Sequence, residues 1–424
     1  MSDFRTLPGA GRLRLTNLTV PACLVGARGD LVPHALTLDA GRIGEGPADA
    51  EVDMGGALVL PAFTDMHTHL DKGHIWTRSP NPDGTFAGAL ETVAADRTAN
   101  WTAEDVRARM TFALRAAHAH GTRAIRTHLD SIPPQDAISW PVFRELREEW
   151  RGRIDLQAAC LVGIDHVAAD GPYRATADLV AESGGVLGAV AYPVPDLAEK
   201  LDAIFTLAAA RNLAIDFHAD ETQDPDSACL HAIAEAKLRH RFDAPVVVGH
   251  CCSLARQPDA TADRTVDLVA EAGLHIVSLP MCNLYLQDRH AGRTPRSRGI
   301  TLVQEMKARG ISLSFASDNT RDPFYAYGDL DMVEVMREAT RIGHLDHGRA
   351  DWATAFTTTP AAACGFDAPS LAPGAPADLV IFRARSWTEF FARPQSDRIV
   401  LRAGRAIDRT LPDYAELDHL MGPS

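Results

Sequence analysis

LPAFTDMHTHLDKGH, residues 60–74, ends an apolar run on two histidines spaced two apart. In an extended strand residues i and i+2 face the same side, so His67 and His69 point together. That spacing suits two ligands of one metal ion. It also suits two polar residues at a strand end, bound to water or backbone. The rest of the chain separates these readings, by whether it supplies the missing ligands at equivalent places.

Seven further apolar runs follow the first: TRAIRTHLD (122–130), IDLQAACLVG (154–163), VLGAVAYPV (186–194), LAIDFHADE (213–221), APVVVGHC (244–251), HIVSLPM (275–281) and ISLSFASDN (311–319). Amphipathic segments such as AEDVRARMTFALRAAHAHG lie between them. Alternating strand and helix predicts parallel βαβ units, and eight runs predict a (β/α)8 TIM barrel over residues 61–368. A doubly wound open sheet is the alternative, but no glycine-rich nucleotide fingerprint follows the first run. Both chain ends read differently. RLRLTNLTV, HALTLDAGRI and GALVLP at one end, and ADLVIFRA and DRIVLRAGRAI at the other, are short β segments punctuated by turn residues. They predict a small β-sandwich built from residues 1–60 and 369–424.

The polar residues of the middle fall just after its apolar runs. His67 and His69 follow the first, His128 and Asp130 the second, His218 and Glu221 the fifth, His250 the sixth, Asp318 and Asn319 the eighth. In a parallel barrel all strand C-termini open on one face, so these residues would meet there. Three histidines and one carboxylate, His67, His69, His218 and Asp318, make a borderline donor set suited to one Zn²⁺ or Fe²⁺. An open position on such an ion would hold a water with its pKa lowered toward ~7. Glu221 is placed to move protons between water and a leaving amine, although Asp-Glu-Thr also reads as a helix start. His250 is placed to polarise the attacking water or a developing oxyanion, or is a hydrogen-bonded core histidine. His128 is a candidate substrate contact or part of a network behind the site.

Composition narrows the function classes. The chain has 424 residues, 46% of them hydrophobic, enough for one large domain and a smaller one. Its 42 Lys and Arg stand against 56 Asp and Glu, a net charge of −14, which disfavours nucleic acid and favours a small neutral or cationic substrate. No membrane span is visible, and the opening MSDFRTLPGAGRLRL has no apolar signal core, so a cytoplasmic protein is expected. The seven cysteines show no CxxC pair and read as core thiols. The absence of PCxxC also excludes the other zinc deaminase architecture.

With these residues assembled, the chain resembles the amidohydrolase superfamily, and within it the barrel-type bacterial cytosine deaminases. The resemblance runs from GALVLPAFTDMHTHLDKG to APADLVIF, most of the chain, and is carried by HTHLDK, RTHLDS, DFHADE, NLYLQDR, PRSRGITLVQEMKARGI and ASDN. It implies a single divalent metal on His67, His69, His218 and Asp318, with Glu221 as proton shuttle and His250 assisting the hydroxide that attacks a ring carbon to release ammonia. No lysine ends VLGAVAYPVPD, where binuclear relatives place a bridging one. Lys72 reads as a structural or rim group. Family members of this type usually associate, so a homo-oligomer is expected.

Two positions depart from the cytosine deaminase pattern. Gly163 stands about where a glutamine reads the pyrimidine, and Asn319 replaces a second aspartate. An Asn offers one acceptor and one donor face where an Asp offers two acceptors, which argues against cytosine itself. ASDNTRD also resembles N-isopropylammelide amidohydrolase. Asn319, Gln287, Asp71 and, on the loop after the seventh run, Arg289 are expected to face substrate. The sequence therefore predicts a metal-dependent deaminase of a small nitrogen heterocycle. An amidohydrolase of an N-substituted aminotriazine or cyclic amide is the alternative, and a catalytically silent barrel scaffold the reading from another class.

Overall fold

Buried and less buried residues alternate along LRLTNLTV with one shift at Asn17, so that Leu13, Leu15, Leu18 and Val20 are buried; the stretch becomes β1 (Leu13–Pro21) of the computed structural model, which describes residues 3–9, 11–347 and 350–422. Next come β2 (Leu31–Asp39), β3 (Arg42–Gly44) and β4 (Ala50–Pro61). The first apolar run serves two sheets. Residues up to Pro61 belong to β4, and after Ala62 the chain starts β5 (Phe63–Thr68).

The eight runs of the middle give eight parallel strands. After β5 they are β6 (Thr122–Asp130), β7 (Asp155–Leu161), β8 (Leu187–Ala191), β9 (Ile215–Ala219), β10 (Val246–His250), β11 (His275–Ser278) and β12 (Ser312–Phe315). They pair in sequence order as a three-stranded sheet, β5-β6-β7, and a five-stranded sheet, β8 to β12. Parallel bridges Ala159–Val186 and Gly163–Val190 join β7 to β8. At the other seam Thr68 bridges Asp318, whose N–H donates to the His67 carbonyl at 2.9 Å. Strands β8 to β12 are buried almost throughout, which is why they read as continuous apolar runs rather than alternating ones.

Helices cross between the strands. Ala103–His120 shows how sharply the sequence marks them. The Thr102 side chain accepts from the Asp105 N–H at its start, and Gly121, at φ 107°, ends it. Arg109 of this helix is buried and donates to the Gly73 carbonyl at 3.0 Å, holding the loop after β5 in place.

The far end returns as β13 (Leu379–Phe382), β14 (Ile399–Arg402) and β15 (Arg405–Ala406). They join β1 to β4 in one hydrogen-bonded seven-stranded sheet, ordered β15-β14-β13-β4-β1-β2-β3, so the two chain ends share a sheet. β13 pairs antiparallel with β4, setting Leu379 opposite Pro61 and so tying the last part of the chain to the residue beside β5. Leu15, Val20, Val59, Leu379, Ile381 and Leu401 form an apolar cluster of their own on this sheet. Among the described residues no helix is long and apolar enough to cross a membrane.

Candidate active site

The C-terminal ends of β5 and β9 and the segment after β12 converge. The Nε2 atoms of His67 and His218 stand 3.0 Å apart, and those of His218 and His69 3.3 Å. Asp318 Oδ1 lies 3.5 Å from His67 Nε2 and 3.2 Å from His69 Nε2. Ligands at ~2.05 Å from a tetrahedral ion are separated by about 3.3 Å, so these spacings fit one small divalent cation. Burial holds the three imidazoles well below the usual histidine range, helped by neighbouring histidines and, for His69 and His218, by the Lys72 charge, so they stay in the neutral form that binds metal. Asp318 Oδ1 is buried and finds no hydrogen-bond donor among the described residues. A cation at that point would satisfy it.

Local backbone makes this convergence possible. Asp220, His250, Cys251 and Asp318 all have φ between 53° and 69°, a conformation costly for residues other than glycine and concentrated here at strand ends. Gly249 has the opposite role. A Cβ there would come within 2.9 Å of the His67 ring, so only glycine lets β10 pass so close. Asp65 fixes the remaining ligand segment by accepting from the Ser317 N–H at 3.1 Å and its hydroxyl at 2.5 Å.

A cavity of ≈ 690 Å³ opens over this cluster, lined by His69, His218, Glu221, His250, Gln287 and Asn319 among others. Burial pushes the Glu221 carboxyl well above the usual carboxylate range, with the Asp318 charge as second cause. Its Oε1 lies 3.4 Å from His250 Nδ1. Asn283 Nδ2 stands between them, 2.9 Å from His250 Nδ1 and 3.4 Å from Glu221 Oε1. Donation from Asn283 to Nδ1 leaves the His250 proton on Nε2, which is buried and otherwise unpartnered. Asp220, the neighbour of Glu221, does serve a helix start: it accepts from the N–H groups of Cys229 and Leu230 at 2.9 and 2.8 Å. Cys251 and Cys252 are buried, and burial pushes both thiols well up.

Three expected substrate contacts lie elsewhere. His128 is fully buried behind His67, ring centroids 4.1 Å apart, and its Nε2 is 3.2 Å from Asp216 Oδ1. Asp71 does not reach the cavity either. Its Oδ2 accepts from the Asp130 N–H at 3.0 Å and the Ser139 hydroxyl at 2.9 Å, which pins the loop after β5 to β6. Arg289 turns back to the Tyr285 carbonyl, 3.1 Å from Nε. Asn319 and Gln287 do line the cavity. Asn319 Nδ2 donates to Asp322 Oδ2 at 2.7 Å, and Gln287 Nε2 to the Glu221 carbonyl at 3.2 Å.

The sequence reading missed Asn283 and read Lys72 as a structural or rim group. Asn283 sits on the short helix Pro280–Leu286 after β11, within the NLYLQDR motif already singled out. The Lys72 side chain is only 7% exposed and lines the cavity wall rather than its rim. At Gly163, also on the wall, a Cβ would meet Asp165 Oδ1 at 2.5 Å and the Tyr192 hydroxyl at 3.0 Å. The space a longer side chain would need there is already filled.

The strand ends bring together a His/Asp cluster of the kind that can hold a metal ion, and the chain belongs to the amidohydrolase family, whose model matches residues 111–407. It is similar to a pterin deaminase of Rhizobium rhizogenes, 54% identical over 433 aligned positions that cover 99% of each chain. N-isopropylammelide isopropyl amidohydrolase of Pseudomonas sp. (strain ADP) is 25% identical over 306 positions, covering 68% of this chain and 70% of that one. Among solved structures, 5-methylcytosine deaminase of Klebsiella pneumoniae with phosphonocytosine superposes with a TM-score of 0.78 at 25% identity, covering 93% of this chain and 97% of that one.

Proposed function

We propose that this protein is a metal-dependent hydrolytic deaminase that removes the 2-amino group of a pterin as ammonia. The observation that carries the substrate is the 54% identity, over essentially the whole chain, to a pterin deaminase. The site agrees with it: a cavity of ≈ 690 Å³ has room for a two-ring heterocycle, and Gly163 and Asn319 are the positions that argued against cytosine. In the same reading β5 to β12 close into a (β/α)8 barrel through their two bridged seams. Residues 1–60 and 369–424 form the smaller β domain.

His67, His69, His218 and Asp318 would hold one divalent cation, Zn²⁺ or Fe²⁺. Such an ion supplies a Lewis acid that makes water a competent nucleophile near neutral pH. The chain's own groups do the rest. The cavity positions C2 of the pterin against the cluster. Glu221, kept protonatable by burial, accepts the proton of the attacking water, passes it to the ring nitrogen beside C2, and then helps the amino group leave as ammonia. His250, oriented by Asn283, presents Nε2–H to the oxygen being added at C2. Water adds and ammonia departs, leaving an oxo group in place of the amine.

The test is ammonia release across pterins, aminopyrimidines, aminotriazines and creatinine-like rings. Pterin turnover with ammonia release is the expected result. Alkylamine release from N-alkyl aminotriazines, without pterin turnover, would favour the amidohydrolase alternative. Glu221→Gln should reduce turnover by about 10²- to 10⁴-fold and leave the bound metal unchanged. Wild-type activity in that variant would remove Glu221 from the mechanism.

A further inference from the structure

Lys72 has no part in the chemistry above, yet its position is unusual for a lysine. It follows His69 by three residues, in the loop that Arg109 holds, and its ammonium lies 3.3 Å from Asp130 Oδ1 and 5.1 Å from the centroid of the Phe324 ring. Asp130 has another cation, since Arg97 Nη1 donates to its Oδ2 at 2.7 Å. An ammonium carries three donors, and Asp130 engages one face of it. A charged group withdrawn from water with donors to spare is costly unless something else accepts from them.

The remaining face of Lys72 belongs to the cavity. Lys72 lines it together with His69, Glu221, Asn319 and Phe324. Asp130 and Phe324, the two groups its ammonium touches, line the same cavity as His218 and Glu221, so the ammonium stands at the wall of that cavity. The Phe324 ring attracts the ammonium through its π face but accepts no conventional hydrogen bond, and Asp322 and Asp71 act on it as charges without a hydrogen bond to it. A substrate group that accepts hydrogen bonds, a short way from the carbon under attack, matches this placement.

Resting on the pterin reading, we propose that Lys72 is a substrate-binding residue that donates to the ring carbonyl of the substrate and so selects an oxo-substituted ring. In a pterin the 4-oxo group and the 2-amino group sit on the same six-membered ring, separated by one nitrogen. With C2 at the metal cluster, the carbonyl lies near the reacting carbon without being part of the bond change. A ring that carries an amino group at position 4 would turn N–H donors toward an ammonium, and a site built for one pattern rejects the other.

The experiment compares pterin with 2,4-diaminopteridine in the wild type and in Lys72→Met, using kcat/KM for turnover and the competitive inhibition constant where turnover is too slow. Lys72→Met should lower kcat/KM on pterin by about 10- to 100-fold, mostly through KM, as loss of a charged hydrogen bond would. Its affinity for 2,4-diaminopteridine should change by less than about threefold, so the preference for the oxo ring collapses. Metal content should be unchanged, because Asp130 keeps Arg97 as partner. Lys72→Gln, which retains a neutral amide donor, should fall between the two and serves if the methionine variant loses metal. Equal losses on both rings, or an unchanged KM for pterin, would make Lys72 a packing residue and overturn this proposal alone. No pterin turnover by the wild type would overturn the reading beneath it.

Discussion

Glu221 and His250 come from different strands, yet Asn283 touches both. Their alignment therefore depends on one amide, 2.9 Å from His250 Nδ1 and 3.4 Å from Glu221 Oε1. Asn283→Ala should lower kcat by roughly 10- to 100-fold with little change in KM, because the lost hydrogen bonds orient groups rather than bind substrate. Steady-state kinetics on pterin checks this, and Asn283→Asp should not rescue it, since a carboxylate beside Glu221 repels its anionic form. At this scale His67 and His69 were legible from a two-residue period. His128 and Asp130 share that period on β6, yet only Asp130 reaches the cavity. Two residues along a strand are about 6.6 Å apart, and that depth separates a cavity wall from the layer under it.

At the scale of elements, the N-terminus of helix Met332–Gly343 ties the residue before β14 to the end of helix Ala103–His120. Its cap, Asp331, receives both guanidinium nitrogens of Arg398 at 2.6 and 2.7 Å, with His120 Nδ1 at 3.5 Å. The charges of Arg398 and His120 outweigh burial and hold the Asp331 carboxyl well below its ordinary value. A depressed carboxylate contributes stability that is present above the unfolded pKa of ~3.9 and lost as pH falls below it. Unfolding free energy should therefore drop below pH 4 in the wild type and less so in Arg398→Met. At pH 7 that variant should lose about 3–5 kcal/mol, measured by denaturant titration, because it leaves a buried carboxylate short of its partner. Nothing local in the sequence marked this pair. Arg398 and Asp331 lie 67 residues apart and are brought together by the tertiary structure.

At the scale of the whole molecule, the proposed ligands arrive from three separate segments: β5 and the residue after it, β9, and the turn following β12. A cation shared among them would cross-link strands at both ends of the parallel set. Removing it with a chelator should lower the melting temperature, and restoring Zn²⁺ should raise it. The stabilisation should be about 4 kcal/mol when free ion exceeds its dissociation constant a thousandfold. Calorimetry with and without metal, on wild type and on Asp318→Asn, checks this. The variant should melt at the same temperature in both conditions.

The eight apolar runs and the polar residues that close them were readable in the chain. A strand buried on both faces must be apolar, and its exposed end is where a polar residue can sit. That rule collects His67, His69, His218 and Asp318 among several other polar residues, and donor chemistry with the family resemblance singles them out as ligands. What only the tertiary structure decided was depth and direction: that Lys72 reaches the cavity, that Asn283 stands buried against His250 and Glu221, that Asp71 and His128 do not line the cavity, and that both chain ends share one sheet. Such outcomes depend on distances between segments far apart in sequence. Packing of the whole molecule sets those distances, and no local periodicity encodes them.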